Sequence, residues 1–317
     1  MSIASEISRL QQAKADLKTI IESKGVTVPS GTTLDEYPAL VQQIIDSGID
    51  WETIAKGMLD YTTTFEIPNN VYFNAKETNI FYGRKNLIGS VTIPASTTYI
   101  NTGAFRGCTN VTSVIIPNSV TRIFDWAFGG AGLTSIQIPN SVTRIDGYAF
   151  HSCPLSSITI PSSVTTLGSY IFNQCSQIET MIVETGNTAF DSRNNCNAII
   201  GTANNELWFG CKNTIIPNSV TSIRGSAFYE SYGLTALTIP SSVTTIGGSA
   251  FINCSNLTEL IFEGTTPPTL SGSSALGQTN YSFPIYVPDG AVNDYKVATN
   301  WVSYASRIKG ISERNVA

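Results

Sequence analysis

Apolar residues recur along this chain in register. Five near-copies of one phrase mark the period: "IPNSVTRIFDWAF" from Ile116, "IPNSVTRIDGYAF" from Ile138, "IPSSVTTLGSYIF" from Ile160, "IPNSVTSIRGSAF" from Ile216 and "IPSSVTTIGGSAF" from Ile239. A fixed period of about 22 residues predicts a solenoid, in which each repeat is one coil that buries its apolar side only against its neighbours. Pro94, Pro117, Pro139, Pro161, Pro217 and Pro240 are each followed eleven residues later by a phenylalanine: Phe105, Phe128, Phe150, Phe172, Phe228 and Phe251. Between proline and phenylalanine the inward slots are Val120, Val142, Val164, Val220 and Val243, then Ile100, Ile123, Ile145, Leu167, Ile223 and Ile246. The phenylalanines are expected to form the structural core as a buried ladder.

After each phenylalanine comes a run such as "LTSIQIP" from Leu133 or "LTALTIP" from Leu234, apolar at its first, fourth and sixth places. That is the spacing of a leucine-rich repeat strand. Alternation at period two sends Ile136 and Ile138 inward and Ser135 and Gln137 outward, and strands stacked from coil to coil predict a parallel sheet. The expected fold class is α+β: a leucine-rich-repeat solenoid of short parallel strands over residues 67–263, with a helical N-terminal anchor (1–48), a connector (49–66) and a helical C-terminal cap (264–317). In the cap, "PIYVP" from Pro284 reads as a last strand, and Trp301, Tyr304 and Ile308 fall on one helical face that should cover the last coil.

The register breaks once. Phe172 and Phe228 are 56 residues apart, and the segment 184–216 reads as one enlarged, irregular coil. In it "NAII" and "ELWF" flank a polar tract and predict a β-hairpin turning at Ala203, Asn204 and Asn205, projecting from the rod.

Residues 2–23 predict a helix whose Ile3, Ile7, Leu10, Lys14, Leu17 and Ile21 alternate at spacings of four and three, a coiled-coil seam of about three heptads. That seam predicts oligomerisation or attachment through Ile3, Ile7, Leu10, Leu17 and Ile21, with a trimer favoured. A helical hairpin onto a second helix at 35–46 is the equal alternative. Gly25 ends the first helix, Asp35 caps the second, and Pro38 sits harmlessly in its first turn.

The whole repeat, with proline, valine, Ala-Phe, cysteine and strand in register, resembles the BspA-type leucine-rich repeat of bacterial surface and adhesion proteins. The resemblance implies a binding or display module and brings no catalytic residues with it. The string "KGVTVPSGTTLDEYPALVQQI" following the first helix resembles N-terminal segments of bacteriophage tail-associated proteins. It implies a virion protein with the helices as attachment end.

Composition agrees with a module that binds neither nucleic acid nor anionic membrane: net charge is −5, only 13 % of residues are charged, and 42 % are hydrophobic. No apolar run approaches the length of a transmembrane helix, and the N-terminus lacks the pattern of a secretory signal, which counts against a bacterial adhesin. Four of six cysteines, Cys108, Cys153, Cys175 and Cys254, share the slot three residues after phenylalanine, where Ala131 and Ser231 stand in other coils. The slot asks for a small side chain, so free buried thiols are expected; Cys196 and Cys211 flank the hairpin, and their pairing stays open. The single histidine excludes a His-based metal site, the "DSRNNCN" stretch is too poor in acids for calcium, and no cofactor is expected.

Candidate ligand chemistry concentrates in one row. Trp126, Tyr148 and Tyr170 occupy the slot two residues before phenylalanine on three successive coils, where other coils carry Gly103, Ser226 and Ser249. Stacked at coil spacing they predict either an aromatic ladder that merely covers the outer face of the coils or a platform for sugar rings, with His151 and Asn173 beside it. By contrast the outward strand rows, Ser113, Ser135 and Ser157, then Thr92, Ile115, Gln137 and Thr159, look bland. The acidic residues are scattered singly, so no paired carboxylates point to a glycosidase. Together these readings predict a non-enzymatic bacteriophage tail or appendage protein. Its helices would hold other virion proteins and its solenoid would bind a bacterial surface glycan or protein; the alternative is a bacterial cell-surface or secreted adhesin of the same repeat family.

Overall fold

The computed structural model describes residues 89–95, 97–277 and 283–314, the strand Thr64–Glu66, and Ala15, Lys18, Thr19, Glu22 and Val28. Each coil has three sides. The first side carries the strands Thr64–Glu66, Gly89–Thr92, Val111–Ile115, Ser157–Ile160, Thr180–Val183, Ala236–Ile239 and Glu259–Phe262, followed by Ile285–Val287 and Ile308–Gly310 from the cap. Their pairing is parallel throughout and falls into three groups. A turn at the proline follows, closed by the N–H of the valine three residues on donating to the proline carbonyl, as from Val120 to Pro117 at 3.1 Å and from Val220 to Pro217 at 2.9 Å. The second side is a narrow ladder of two-residue strands: Tyr99–Ile100, Arg122–Ile123, Arg144–Ile145 and Thr166–Leu167 in one half, Ser222–Ile223, Thr245–Ile246 and Thr269–Leu270 in the other.

The third side surrounds the phenylalanine and has no strand. Instead the backbone crosses into positive φ two residues before and two residues after it: at Gly103 and Gly107, Trp126 and Gly130, Tyr148 and Ser152, Tyr170 and Gln174, Ser226 and Glu230, Ser249 and Asn253. The alternation aims every second N–H along the rod at the next coil. Trp126 N–H reaches the Gly147 carbonyl at 3.1 Å, Phe128 N–H that of Ala149 at 2.8 Å, and Gly130 N–H that of His151 at 2.6 Å. Those bonds satisfy peptide groups that a bare turn would leave to water.

Inside, the phenylalanine ladder forms as predicted, in two runs. Rings of Phe105, Phe128, Phe150 and Phe172 lie nearly parallel at 5.4, 5.5 and 6.0 Å, and Phe228 stacks on Phe251 at 5.1 Å. Between the runs Phe209 meets Phe172 edge-on at 5.6 Å. The buried apolar residues correspondingly divide into two clusters that meet at the enlarged coil.

Three expectations need correction. The strand predicted at Leu133–Pro139 does not form: Leu133 and Ile138 are buried and Ile136 partly so, yet only Thr134 N–H reaches back, to Thr112 at 3.3 Å. The hairpin forms, as Ala198–Gly201 against Glu206–Gly210, but does not project. Its second strand pairs in parallel with Ser222–Ile223, because Ile199, Ile200, Leu207 and Phe209 are apolar on both faces and are buried in the rod. The cap is only partly helical: Val292–Val297 is a six-residue α-helix, Val302–Arg307 a 3-10 helix, and Ile308 belongs to a strand that adds to the first sheet. Trp301 and Tyr304 are fully buried there, anchored by Trp301 Nε1 donating to Pro268 at 2.8 Å and Tyr304 Oη donating to the Ser273 carbonyl.

Of the N-terminal anchor only Ala15, Lys18, Thr19, Glu22 and Val28 are described; the first four are helical, with Lys18 and Glu22 3.8 Å apart, and Val28 is not. The seam residues Ile3, Ile7, Leu10, Lys14, Leu17 and Ile21, the helix at 35–46, and residues 67–88 of the solenoid's first coil lie outside the described residues. Among the described residues no helix is long and apolar enough to cross a membrane.

Candidate functional site

The aromatic row stands on the third side, and every member is in the left-handed region: φ is 58° at Trp126, 56° at Tyr148 and 61° at Tyr170. That conformation disfavours side chains with a Cβ by about 1–2 kcal/mol, which is why glycine fits the slot in the coil of Phe105. The rings recover part of the cost by stacking. Trp126 lies on Tyr148 at 4.5 Å with 5° between planes, and Tyr148 on Tyr170 at 5.0 Å with 14°. Gly129 makes room for the indole, since a Cβ there would come within 2.6 Å of Trp126 Cε3.

Stacking in this sense runs along the rod and changes what the row offers. The ring faces cover one another; the outer face of Trp126 is covered by the Arg106 guanidinium at 4.0 Å, and Tyr229 meets Tyr170 edge-on at 5.5 Å. The platform of exposed faces expected for sugar stacking is therefore replaced by a stripe of ring edges and phenol hydroxyls. Ring edges carry the positive end of the aromatic quadrupole and prefer oxygen acceptors.

His151 leans edge-on against Trp126 at 4.9 Å and Tyr148 at 5.7 Å, half-buried, with Nδ1 buried and without a partner. Burial pushes its pKa below the ordinary 6.5, Glu230 opposes that shift and Arg106 adds to it. Asn173, expected beside the row, is 5 % exposed and so is buried. Burial likewise raises the Tyr148 phenol, with Tyr170, Tyr229 and Glu230 adding to it.

Across the enlarged coil this side stays continuous. Ser226 Oγ donates to Tyr170 Oη at 3.2 Å, and Gln174 Nε2 to Glu230 Oε2 at 3.0 Å, both across 56 residues of sequence.

Beside the stripe runs a groove of about 360 Å³. Gly147, Gly168 and Ser169 form its floor, Tyr148 and Tyr170 one wall, Arg122 and Arg144 the other, with Asp125 and Asp146 between. The floor is low because the coils touch: a Cβ on Gly168 would sit 2.4 Å from Gly147 N. Arg122 and Arg144 are direct neighbours in register, an arrangement that repels. Asp146, whose side chain is 4 % exposed, offsets the repulsion by accepting from Arg122 Nε at 2.8 Å and Nη2 at 2.7 Å through Oδ2, and from Arg144 Nε at 2.5 Å through Oδ1. Sequence reasoning passed over these residues. The signal was present: arginine replaces the tyrosine, threonine or serine of other coils before the inward aliphatic residue in "VTRIFDW" and "VTRIDGY", next to the aromatic substitutions.

The first side offers two larger grooves, of about 700 and 520 Å³, at the interruptions of its sheet. Contrary to the bland reading of that row, Ile115, Ile182 and Ile215 are exposed there, at 57, 45 and 73 %. Size alone does not make them sites, for they lack the convergence of donors found beside the stripe.

All six cysteines are buried free thiols, Cys196 and Cys211 included. Cys153, Cys175 and Cys254 each donate to the phenylalanine carbonyl of the preceding coil at 3.0 Å. Burial pushes Cys175 and Cys254 up to about 12. Among the described residues no three His, Cys, Asp or Glu side chains converge on a point that would hold a metal ion.

The profile described as "BspA type leucine rich repeat region" matches six copies over residues 74–200 and 195–283. Among solved structures, the chain is similar to a leucine-rich repeat protein of Eubacterium ventriosum (21 % identity, 71 % of this chain and 72 % of that one, TM-score 0.47). It is also similar to a leucine-rich cell surface protein of Faecalibacterium prausnitzii (20 %, 78 % and 87 %, 0.41) and to the pneumococcal vaccine antigen PcpA (16 %, 78 % and 87 %, 0.45). No curated protein sequence matches. Nothing in these comparisons supports the resemblance of the first residues to bacteriophage tail-associated proteins.

Proposed function

Because this chain belongs to the BspA-type leucine-rich repeat family, we propose that it is a non-catalytic recognition module displayed at a bacterial surface. Its ligand is an oxygen-rich surface glycan, held along the third side of the coils. The observation that carries this reading is the placement of Trp126, Tyr148 and Tyr170 in a left-handed slot that other coils fill with glycine or serine. The backbone does not need large rings there, and backbone strain kept at consecutive positions is a pointer to use. The virion setting, which rested on the resemblance of the N-terminal segment and on the lack of a secretory-signal pattern, is set aside in favour of the surface setting that the repeat family supports. A trimer through the N-terminal seam stays a proposal tied to that segment.

The test is a double substitution, Trp126→Ser with Tyr148→Ser, which installs the residue used in the coils of Phe228 and Phe251. The double variant should stay folded, with a melting temperature lowered only by the loss of ring stacking, while binding to isolated cell-surface glycans or to whole cells should fall sharply. Undiminished binding would overturn this site and move attention to the grooves at Ile115 and Ile215. Fractionation of producing cells tests the setting: recovery with cell-free phage particles instead of the cell envelope would reinstate the virion reading.

A further inference from the structure

Resting on that reading, the groove beside the stripe narrows the ligand class, because its hydrogen-bonding groups are unequally divided between donors and acceptors. Both oxygens of Asp146 are already engaged by the two arginines. Arg144, with its side chain 49 % exposed, uses only Nε, and neither of its Nη groups has a partner among the described residues. Arg122 is held on its Nε and Nη2, its plane lying over Phe124 at 3.9 Å, so its Nη1 also remains. The opposite wall adds the edges and hydroxyls of Tyr148 and Tyr170. Against this set the one lining carboxylate that is not tied down is Asp125, whose Oδ1 stands beside Gly147 in the groove and whose repulsion of an anion is reduced by its exposure to solvent.

The paired Nη groups of a guanidinium match the two oxygens of a carboxylate, and the buried Asp146 holds the Arg144 fork from behind, so little side-chain freedom is lost on binding. The geometry points to a sugar that carries a carboxylate, such as a uronic acid unit of an acidic surface polysaccharide, with the carboxylate on Arg144 and the ring oxygens along the tyrosine edges. An acidic peptide would satisfy the arginine but has no ring oxygens for the tyrosine edges.

The experiment titrates the full chain with a uronic acid oligosaccharide, with the same oligosaccharide after reduction of its carboxyl groups to alcohols, and with a poly-glutamate peptide. Arg144→Gln and the Trp126→Ser, Tyr148→Ser double variant are run alongside. In Arg144→Gln the buried Asp146 keeps Arg122, so the fold has a route to survive the change; the wild-type comparison of native and reduced sugars needs no variant. The native sugar should bind at least about tenfold more tightly than the reduced one, and Arg144→Gln should erase that difference while leaving the reduced sugar unaffected. Equal binding of native and reduced sugars, with both lost in the double aromatic variant, would overturn the carboxylate proposal and leave the glycan reading standing. Binding of the peptide and of neither sugar would overturn both.

Discussion

In the coils of Phe128, Phe150 and Phe172 the left-handed slot holds Trp126, Tyr148 and Tyr170, at φ of 58, 56 and 61°; in the coils of Phe228 and Phe251 it holds Ser226 and Ser249, at 64 and 60°. The backbone is the same and so are its bonds to the next coil: Tyr148 N–H reaches Ser169 at 3.1 Å, and Ser226 N–H reaches Gly248 at 3.1 Å. What differs is display. The first half builds a ring stack with two arginines beside it, and the second shows small polar groups over an otherwise equivalent core. A solenoid can therefore vary one slot without renegotiating its interior, since each coil answers only to its neighbours.

The largest effect should come from what the halves share. Phe150 is stacked between Phe128 and Phe172 and is fully buried, so Phe150→Ala should cost about 3–5 kcal/mol in denaturant unfolding. A loss below about 1 kcal/mol would mean that the ring is not structurally required. Next in size is the slot itself. Tyr148→Val should be worse than Tyr148→Ser by about 1–2 kcal/mol, because a β-branched side chain tolerates positive φ poorly. Equal losses would deny the left-handed conformation.

The sharpest contrast between halves is one of sign. Ser249→Gly should stabilise slightly, by about 0.5 kcal/mol, as relief of the left-handed penalty exceeds the added freedom of the unfolded chain. Tyr148→Gly should destabilise, because there the same relief is outweighed by lost stacking on Trp126 and Tyr170. Like signs would show that the stack contributes nothing.

The smallest effect is a pH dependence confined to the aromatic half. His151 has its pKa lowered by folding, so the unfolded chain binds more protons between the lowered value and the ordinary 6.5. Stability should then fall as pH drops through that window and level off below it. His151→Gln should flatten this part of the profile; an unchanged slope in thermal melts between about pH 7 and 5 would remove the histidine from the account.

How far the sequence could be read depends on which force fixes each element. Proline, valine and phenylalanine slots repeat because their burial leaves little choice, so the two runs of ring stacking follow directly from Phe105 to Phe251. The direction of the aromatic row was not legible in the same way: spacing places Trp126 and Tyr148 on adjacent coils, but only the left-handed backbone turns their faces onto one another. The hairpin misled for a related reason. Its polar turn reads as a projection, whereas Ile199 and Phe209 on one face and Ile200 and Leu207 on the other are both claimed by the rod. In the cap, Trp301 and Tyr304 were recognisable as a lid by bulk, while the pairing of Ile308 with Ile285 depends on an exposed sheet edge that sequence alone does not reveal.

The thiol row bears on where this chain is able to fold. Three cysteines tie successive coils through S–H groups donated to phenylalanine carbonyls, and none of the six is within a disulfide. Folding thus waits on no oxidant, no isomerase and no sorting among alternative pairings. An oxidant that met the chain before the coils closed would reach thiols that the finished rod keeps buried, so the order of folding and oxidation decides the covalent product.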